Sequence, residues 1–405
     1  MQKKNFSLYN LPEKVVFCKK CVISNQRPRS TVEFKNKSNL KEGIKFDVNG
    51  ICEACNYSEA KKKIDWKKRE QELIQLLDKY RKKSGYDCVV PGSGGKDSVF
   101  ASHLLKYKYG MNPLTVTWAP HLYTDIGWQN FTNWIHEGGM DNILFTPNGR
   151  LHRTLTRLSF LNLLNPFQPF IIGQKIIAPL IAQKFNIPLV FYGENPAEYG
   201  NAINENEKPE MDENFFSVKD INEIYLGGVG VKNIMKEFNF RINEFQPYIA
   251  PPIQDLKKMN LQVRYLGYYI KWDPQECFYY AAQHTKFKPN TERTEGSYSK
   301  YVSIDDKTDT FHYYLTHIKF GIGRTSYDAA QEIRNNKITR EEGVTLVKKY
   351  DHEFPKKYFK DFLEYIEIKE DLFWKTVDSF RSPHLWNFDS KLKKWILKEV
   401  IYKKS

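Results

Sequence analysis

One short stretch of the chain carries residues suited to holding a phosphate group. Residues 93–98 read Ser-Gly-Gly-Lys-Asp-Ser, after the apolar run 88–90 and before a helical pattern over 99–109. A strand, a glycine-rich turn and a helix in this order direct backbone N–H groups and the positive end of the helix at one point. Glycines also permit backbone conformations that a Cβ would block. The stretch therefore predicts an anion site.

The spacing of the glycines excludes two common nucleotide loops. The pattern G-x-x-x-x-G-K-[ST] needs a glycine and a hydroxyl where this chain has Val90 and Asp97. The dinucleotide pattern G-x-G-x-x-G fails because its third glycine also falls on Asp97. The stretch instead matches S-G-G-x-D-S, and it resembles the PP-loop of ATP pyrophosphatases, which split ATP into AMP and pyrophosphate. A chance Gly-Ser turn is the alternative.

Three side chains in or near this loop are our predicted catalytic residues. Asp97 offers a carboxylate for Mg²⁺, which prefers oxygen ligands and bridges phosphates, although it can equally cap its helix. Lys96 can place positive charge near the pyrophosphate. Glu194 follows a predicted strand and can bind the same Mg²⁺ or the substrate; the alternative is a surface acid. ATP and pyrophosphate are expected to contact Ser93, Gly94, Gly95, Lys96, Asp97 and Ser98.

Four of the six cysteines form two C-x-x-C pairs, Cys18/Cys21 and Cys52/Cys55. Two such pairs complete a structural Zn²⁺ site with four thiolate ligands and no open position. The gap between the pairs is longer than the usual zinc-ribbon spacing of about 15–20 residues. An iron–sulfur cluster and free thiols are the alternatives. Zinc is our prediction.

The composition and the charge of the chain limit the classes of protein to which it can belong. A chain of 405 residues is long enough for two or three domains. It has neither a run of eighteen apolar residues nor a signal-peptide pattern, so we expect a cytoplasmic protein without a membrane span. Residues 1–85 hold 21 Lys/Arg against 10 Asp/Glu, which accounts for most of the net charge of +14. Such a basic segment fits nucleic acid, an acidic partner or simply a solvated face.

Strand and helix patterns alternate along the middle of the chain. Apolar strand runs at 88–90, 114–118, 142–145 and 189–192 are separated by helical patterns. This order predicts an α/β fold, a doubly wound parallel sheet with ligands at the carboxyl ends of its strands. On that rule the segments 93–98, 119–125 and 194–195 share one crevice.

The flanking regions read differently. Residues 196–255 are polar and look like an insertion, a lid or a partner surface. Thr325-Ser326 is predicted to cap one helix, and a capping box at Thr339–Glu342 opens the next. The last fifty residues place aromatic, Leu and Lys residues at helical spacing, which predicts helical packing with a basic face. Cys88 and Cys277 lack a clear His–acid pairing, so neither is a convincing glutaminase nucleophile.

Several longer segments resemble one branch of the PP-loop superfamily, the N-acetyl sugar amidotransferases of bacterial surface-glycan synthesis. These segments are the two C-x-x-C pairs, P-G-S-G-G-K-D-S, T-W-A-P-H-L-Y-T-D-I-G-W, Q-P-F-I-I-G-Q-K, F-Y-G-E-N and K-F-G-I-G-R-T-S-Y-D-A-A-Q-E-I-R. They run from residue 18 to about 350. The resemblance implies a fold of the PP-loop ATP pyrophosphatase (adenine nucleotide alpha hydrolase-like) type. It divides the chain into a zinc module (1–64), a linker helix (65–85), a PP-loop domain (86–255, with the insertion near 196–255) and a mostly helical substrate-binding region (256–405).

The resemblance also implies an activity and its partners. ATP adenylates the acetamido oxygen of an N-acetylated sugar, and ammonia from a separate histidine-biosynthesis-type glutaminase then gives an acetamidino group. Related substrates are diacetamido uronic acids and nonulosonic acids such as pseudaminic or legionaminic acid. Thr117 and Trp118 would flank the adenosine. The implied sugar-binding residues are Gln174, Lys175, Glu194, Asn195, Lys319, Arg324 and Asp328, with Tyr298 and Lys300 as weaker candidates.

Two other functional classes remain open from the residues. A tRNA-modifying PP-loop enzyme, a thiolase or lysidine-type ligase, fits the basic N-terminus and the zinc module. The near-neutral remainder of the chain favours a sugar over a nucleic acid as the partner. The third class is a non-catalytic zinc-organised scaffold, against which the intact Ser-Gly-Gly-Lys-Asp-Ser sequence argues.

Overall fold

Parallel strands form the centre of the fold. The protein is represented by a computed structural model that describes residues 11–29, 43–199, 208–211 and 224–403. The described strands are, in chain order, β1 (Cys88–Pro91), β2 (Pro113–Trp118), β3 (Asp141–Phe145), β4 (Leu189–Tyr192), β5 (Tyr225–Leu226), β6 (Val229–Gly230), β7 (Gln262–Tyr265), β8 (Trp386–Asp389) and β9 (Lys394–Leu397).

Helices surround this sheet and make up most of the second half of the chain. The described α-helices are α1 (Glu53–Lys61), α2 (Trp66–Tyr80), α3 (Lys96–His103), α4 (Asp125–His136), α5 (Gly149–Leu163), α6 (Gln168–Lys184), α7 (Val231–Phe238), α8 (Ile253–Lys258), α9 (Pro274–Thr285), α10 (Asp309–Phe320), α11 (Arg324–Arg334), α12 (Arg340–Tyr350), α13 (Phe359–Ile366) and α14 (Glu370–Ser379). None of the helices in the described part of the chain is both long enough and apolar enough to cross a bilayer.

The strand order creates a natural ligand crevice. The sheet runs β3-β2-β1-β4-β7 with every neighbouring pair parallel. Starting from β1, the next two strands of the chain, β2 and β3, are added on one side of the sheet. The later strands β4 and β7 are added on the other side. Ligands of open parallel sheets bind where the order reverses, outside the carboxyl ends of the strands. That point lies between β1 and β4, and the predicted doubly wound α/β fold is confirmed.

The sheet is buried on both faces, as a parallel sheet requires. On β1, Val89 belongs to the apolar core beneath α5 and α6, whereas Cys88 and Val90 belong to the core beneath α2 and α3. All three side chains are inaccessible to solvent. This two-sided burial explains why strand 88–90 is an unbroken apolar run rather than an alternating one.

The described part of the predicted insertion at 196–255 contributes to the core of the sheet. Met211, Leu226, Ile234 and Phe245 are buried in the same core as the central strands. Apolar side chains at wide intervals supply this packing, so the polar composition of the segment concealed it. Residues 200–207 and 212–223 of the predicted insertion lie outside the described residues.

Two predictions in the C-terminal region also need correction. Gly323, not Thr325-Ser326, occupies the cap of α11; both hydroxyl residues lie inside the helix, where Ser326 donates to Asp351. The chain after α14 is not helical, because β8 and β9 pair as an antiparallel hairpin. The capping box of α12 is confirmed, with Thr339 and Glu342 bonded reciprocally.

The N-terminal cysteine module does not stand apart from the rest of the chain. Its four cysteines and Ile23 share an apolar cluster with Ile322, Ala329 and Val347 of the α11–α12 region. A buried ion pair of 2.5 Å joins Lys61 of α1 to Glu198, just beyond β4. Arg340 of α12 also donates to the carbonyl oxygens of Cys18 and Cys21. These contacts bring the module to the edge of the crevice.

Candidate active site

The loop between β1 and α3 has the backbone geometry of an anion site. β1 ends at Pro91 and α3 begins at Lys96, so the first N–H groups of the helix point into the crevice. Gly94 adopts a φ of +80°, and a Cβ there would lie 2.7 Å from the Cα of Phe131. A Cβ on Gly92 would lie 2.2 Å from the Cβ of Ser98. Gly92 and Gly94 must be glycines because neighbouring atoms leave no room for a Cβ. A Cβ on Gly95, by contrast, would meet no atom nearer than 3.5 Å.

The serine hydroxyls of the loop have neighbours within the chain. Ser98 donates to the carbonyl oxygen of Gly95 at 2.9 Å, and the carboxylate of Asp305 lies near the Ser93 hydroxyl. We predicted both hydroxyls as additional phosphate contacts. In this arrangement the Ser98 hydroxyl stabilises the loop, and the phosphate contacts of the two serines stay a prediction. The backbone N–H groups and Lys96 are also placed to bind a phosphate.

Asp97 and Lys96 form a charged pair at the start of α3. The Nζ of Lys96 lies 2.5 Å from Oδ2 of Asp97. Burial works to lower the pKa of Lys96, but the Asp97 carboxylate outweighs it and raises that pKa above its usual value. The other oxygen, Oδ1, is buried without a hydrogen-bond partner among the described residues. An unpartnered carboxylate oxygen beside a phosphate loop fits a Mg²⁺ ligand.

Glu194 lies across the crevice from this pair, just after β4. Burial raises the pKa of Glu194, and the nearby Asp97 carboxylate raises it further. The nearby hydroxyl of Tyr199 works to lower that pKa. Two neighbouring carboxylates are held together most readily by a shared cation, so Asp97 and Glu194 are the residues suited to hold Mg²⁺.

A cavity of about 680 Å³ extends from the loop. Small-molecule pockets typically fall between about 300 and 1,000 Å³, so the volume suits ATP together with a second substrate. One wall is a face of α11, where Arg324, Asp328, Gln331 and Asn335 follow helical spacing. The cysteine module adds Arg27 and Arg29 to the lining of the cavity.

The predicted Arg324 and Asp328 do lie at this cavity, and they pair with each other. The Nε of Arg324 lies 3.0 Å from a carboxylate oxygen of Asp328, and its guanidinium stacks 4.4 Å from the ring centre of Tyr313. Ser297 also donates to Asp328 at 2.7 Å. Burial raises the pKa of the nearby Asp309 to about 7. Arg324 therefore already has a carboxylate partner within the chain, which makes it a poor anchor for a negatively charged group of a substrate.

Three predicted site residues lie away from the cavity lining. Thr117 is fully buried in β2 and accepts a hydrogen bond from Asn142. Asn195 is turned towards Tyr57 and caps the turn at Ala197. Lys319 is buried and donates to the carbonyl oxygen of Leu163. The roles predicted for these three, with adenosine for Thr117 and with the sugar for the other two, are not supported by where their side chains lie.

Some of the other predicted adenosine- and sugar-binding residues line the cavity, and others do not. Trp118, Gln174 and Lys175 line the cavity, but Tyr298 and Lys300 do not. Sequence reasoning missed Arg27, Tyr199, Asp305 and Tyr313, which also line it. The polar face of α11 could have been found from the sequence, because its polar residues recur at helical spacing. Nothing in the sequence pointed to Arg27, since it lies more than sixty residues before the phosphate loop.

The four paired cysteines converge on one point. Their sulfur atoms all lie within 4.8 Å of one another, with 3.9 Å between Cys18 and Cys55 and 3.7 Å between Cys21 and Cys52. Tetrahedral zinc with bonds of about 2.3 Å separates its sulfur ligands by about 3.8 Å. A four-iron cluster binds each cysteine to a different iron and spreads the sulfurs further apart. The donor set therefore fits a single tetrahedral ion such as Zn²⁺.

Lys175 is a partly buried cation of the cavity lining without an ion-pair partner among the described residues, and burial lowers its pKa to about 8. Its Nζ lies 4.6 Å from the ring centre of Tyr192. Below pH 8 the lysine is charged in both states, so the folded protein bears the cost of burying it. Between pH 8 and the ordinary value of 10.5 the folded state alone loses the proton, and that cost disappears.

We therefore expect Lys175→Met to raise the free energy of unfolding by about 1–3 kcal/mol at pH 7. The gain should shrink as the pH rises from 8 towards 10.5. Urea denaturation of the ligand-free protein across this range measures it. Lys184→Met, at the exposed end of the same helix, is the control and should show no such pH dependence. A destabilised Lys175→Met protein at pH 7 would contradict the prediction.

The C-terminal part of the chain matches a known family. Residues 295–400 match the model described as "LPS biosynthesis protein WbpG-like, C-terminal domain". This range contains α10 to α14 and the α11 face of the cavity. The resemblance to proteins of bacterial surface-glycan synthesis that we expected from the sequence is thus confirmed for this region. Over 80 residues the chain is also 38% identical to an uncharacterized protein of Methanocaldococcus jannaschii, a match that spans 20% of this chain and only 28% of that relative.

The comparison with solved structures includes three proteins of low sequence identity and low TM-score. The NH3-dependent NAD synthetase of Campylobacter jejuni is 14% identical, with a TM-score of 0.28 over 45% of this chain and 77% of that one. The NMN synthetase of Francisella tularensis is 14% identical, with a TM-score of 0.28 over 49% and 93%. The U34-tRNA thiolase NcsA of Methanococcus maripaludis, with its [4Fe-4S] cluster, is 11% identical, with a TM-score of 0.32 over 82% and 88%. Likeness of this degree carries no conclusion about activity.

Proposed function

We propose that the protein is an ATP-dependent amidotransferase that converts the acetamido group of an N-acetylated sugar into an acetamidino group. The observation that carries the proposal is the Ser-Gly-Gly-Lys-Asp-Ser loop at the reversal point of the sheet, opening into a cavity whose far wall is α11 of the WbpG-like region. The loop suits activation by ATP. The far wall belongs to a region matched to surface-glycan biosynthesis, which suits a sugar acceptor.

The first half of the reaction activates the acceptor. The loop N–H groups and Lys96 hold the pyrophosphate part of ATP. Mg²⁺, held by Asp97 with Glu194, would neutralise charge that develops on the departing pyrophosphate. The acetamido oxygen then attacks the α-phosphorus, the bond to the bridging oxygen breaks, and pyrophosphate leaves. After the acetamido N–H proton is lost to solvent, the product is an O-adenylated imidate in which the former carbonyl oxygen belongs to a good leaving group.

The second half replaces that oxygen with nitrogen. Ammonia attacks the imidate carbon, a proton is lost, and AMP leaves with the former acetamido oxygen. Burial raises the pKa of Cys88 and of Cys277 well above the usual thiol range, the opposite of what a nucleophilic thiol requires. This supports an external source of ammonia, and we propose a separate glutaminase subunit for that role. A buried neutral Cys277 beside the loop equally weakens the thiolase alternative.

A single assay tests the proposal. The purified protein is incubated with Mg·ATP, ammonium chloride and each of a panel of N-acetylated sugars, and nucleotides and sugars are analysed by chromatography and mass spectrometry. We expect AMP and pyrophosphate only when both sugar and ammonium are present, with one acetamido oxygen of the sugar exchanged for NH. Formation of ADP, or of a thiolated tRNA in a parallel assay with tRNA and a sulfur donor, would refute it.

A further inference from the structure

Arg27 reaches the cavity from the cysteine module. It lies on the segment between the two cysteine pairs, and its side chain forms part of the cavity wall. Only 5% of the residue is exposed. The guanidinium lies 4.7 Å from the ring centre of Tyr327 on α11 and 6.0 Å from that of Tyr199. Three separate parts of the chain therefore fix the position of this cation.

The way in which Arg27 is held leaves its hydrogen-bonding edge available. A guanidinium that stacks on an aromatic ring uses its flat face, so its in-plane N–H groups remain free to form a fork with a carboxylate or phosphate. No carboxylate of the described residues forms an ion pair with Arg27. By contrast, the neighbouring arginines of the cavity are paired, Arg29 with Glu53 and Arg324 with Asp328.

A second arginine adds positive charge at the same place. Arg334, in the last turn of α11, also lines the cavity and is held by a hydrogen bond to the carbonyl oxygen of Glu198. Its charge is close enough to oppose that of Arg27. Two like charges in a buried wall are costly unless an anion binds between or beside them. This corner of the cavity is therefore built for a negatively charged group.

We propose that Arg27, supported by Arg334, binds an oxyanion of the acceptor sugar, either a carboxylate or a phosphate. The inference rests on the proposed function and deepens it, since it makes the cysteine module part of the acceptor site. Tyr199 connects the two halves of the cavity, because its ring centre lies 6.0 Å from the Arg27 guanidinium and its hydroxyl lies near Glu194 beside the phosphate loop. An acceptor anchored at Arg27 thus lies next to the residues that handle ATP.

A competing explanation assigns both arginines to the metal site. Four thiolates around Zn²⁺ carry net negative charge, and Cys21 and Cys55 lie near Arg334. In that case the arginines would balance the thiolates, and their loss would release the metal without changing the preference for an acceptor. Metal content is therefore measured alongside binding.

The test is calorimetric titration of the metal-loaded full chain with three probes. N-acetylneuraminic acid carries a carboxylate, N-acetylglucosamine 1-phosphate carries a phosphate, and N-acetylglucosamine is neutral. We expect at least one anionic probe to bind more tightly than the neutral one. Arg27→Gln should weaken that binding by about tenfold to a hundredfold, the range for a lost charge-assisted hydrogen-bond pair. Which anion is preferred identifies the source of the oxyanion.

The controls separate the possible roles of Arg27. Arg340→Lys alters another cation that contacts the cysteine module but does not line the cavity, and it should leave the binding of all three probes unchanged. Loss of metal in Arg27→Gln with unchanged probe preference, equal binding of charged and neutral probes, or an effect on ATP affinity alone would each overturn the proposal. Binding of the probes does not require turnover. If the protein preferred an anionic probe but formed no AMP in the activity assay, the proposed reaction would be refuted, whereas the proposed oxyanion subsite would still be supported.

Discussion

Asp97→Asn is expected to lower the rate of AMP formation by about a thousandfold or more, while the protein stays folded. The substitution removes the negative charge beside Lys96 and replaces the unpartnered Oδ1 with a group that holds Mg²⁺ poorly. Loss of one preorganised charge at a phosphoryl-transfer site typically costs about a hundredfold to a thousandfold, and loss of the metal adds to this. Steady-state assay of AMP and pyrophosphate at saturating ATP, acceptor and ammonium measures it.

The matched control for this variant is Asp125→Asn. Asp125 occupies the first turn of α4, the helix of the next strand–helix unit, but its side chain is exposed and lies outside the cavity. Both substitutions remove a carboxylate from the start of a helix. Any stability that is lost because the carboxylate no longer interacts with the helix dipole should therefore be similar in the two variants. We expect near-normal rates from Asp125→Asn and similar melting temperatures for both variants. Equal activity in the two would remove Asp97 from the mechanism.

Gly94→Ala should destabilise the protein and abolish ATP binding, whereas Gly95→Ala should do neither to a comparable degree. Gly94 has a φ of +80°, and its added Cβ would lie 2.7 Å from the Cα of Phe131, which is backbone and cannot move aside. The left-handed conformation costs about 1–2 kcal/mol for an alanine, and overpacking about 1–3 kcal/mol more. Relief of that strain would displace the loop that holds the phosphates.

The neighbouring glycine provides the comparison. Gly95 has extended backbone angles at the cap of α3, and its Cβ would meet only Ser93 Oγ at 3.5 Å. Replacing it should therefore cost less than about 1 kcal/mol, in line with an alanine at a helix N-cap. Urea denaturation gives the two free energies of unfolding, and titration with a non-hydrolysable ATP analogue gives the affinities. Equal losses in both variants would contradict the geometry described for the loop.

The fold class and the two chemical centres could be predicted from local sequence. Unbroken apolar runs that alternate with helical patterns predict buried parallel strands, and Gly94 and Asp97 sit in a short motif at the end of the first strand. The four-cysteine metal site could also be predicted, because each C-x-x-C pair already places two sulfurs within reach of one ion. In each case the residues that act together are close in sequence, so their spacing carries the information.

The sequence by itself therefore determined the α/β sheet, the phosphate loop and the four-cysteine donor set. Only the tertiary structure decided which other residues meet at the cavity. It brought in Arg27 from the cysteine module and turned Lys319 and Asn195 into the protein interior. The physical reason is that these placements depend on the packing of α1, α11 and α12 over hundreds of residues of chain, and on which way each side chain points. Neither property leaves a periodic or short-range pattern in the sequence.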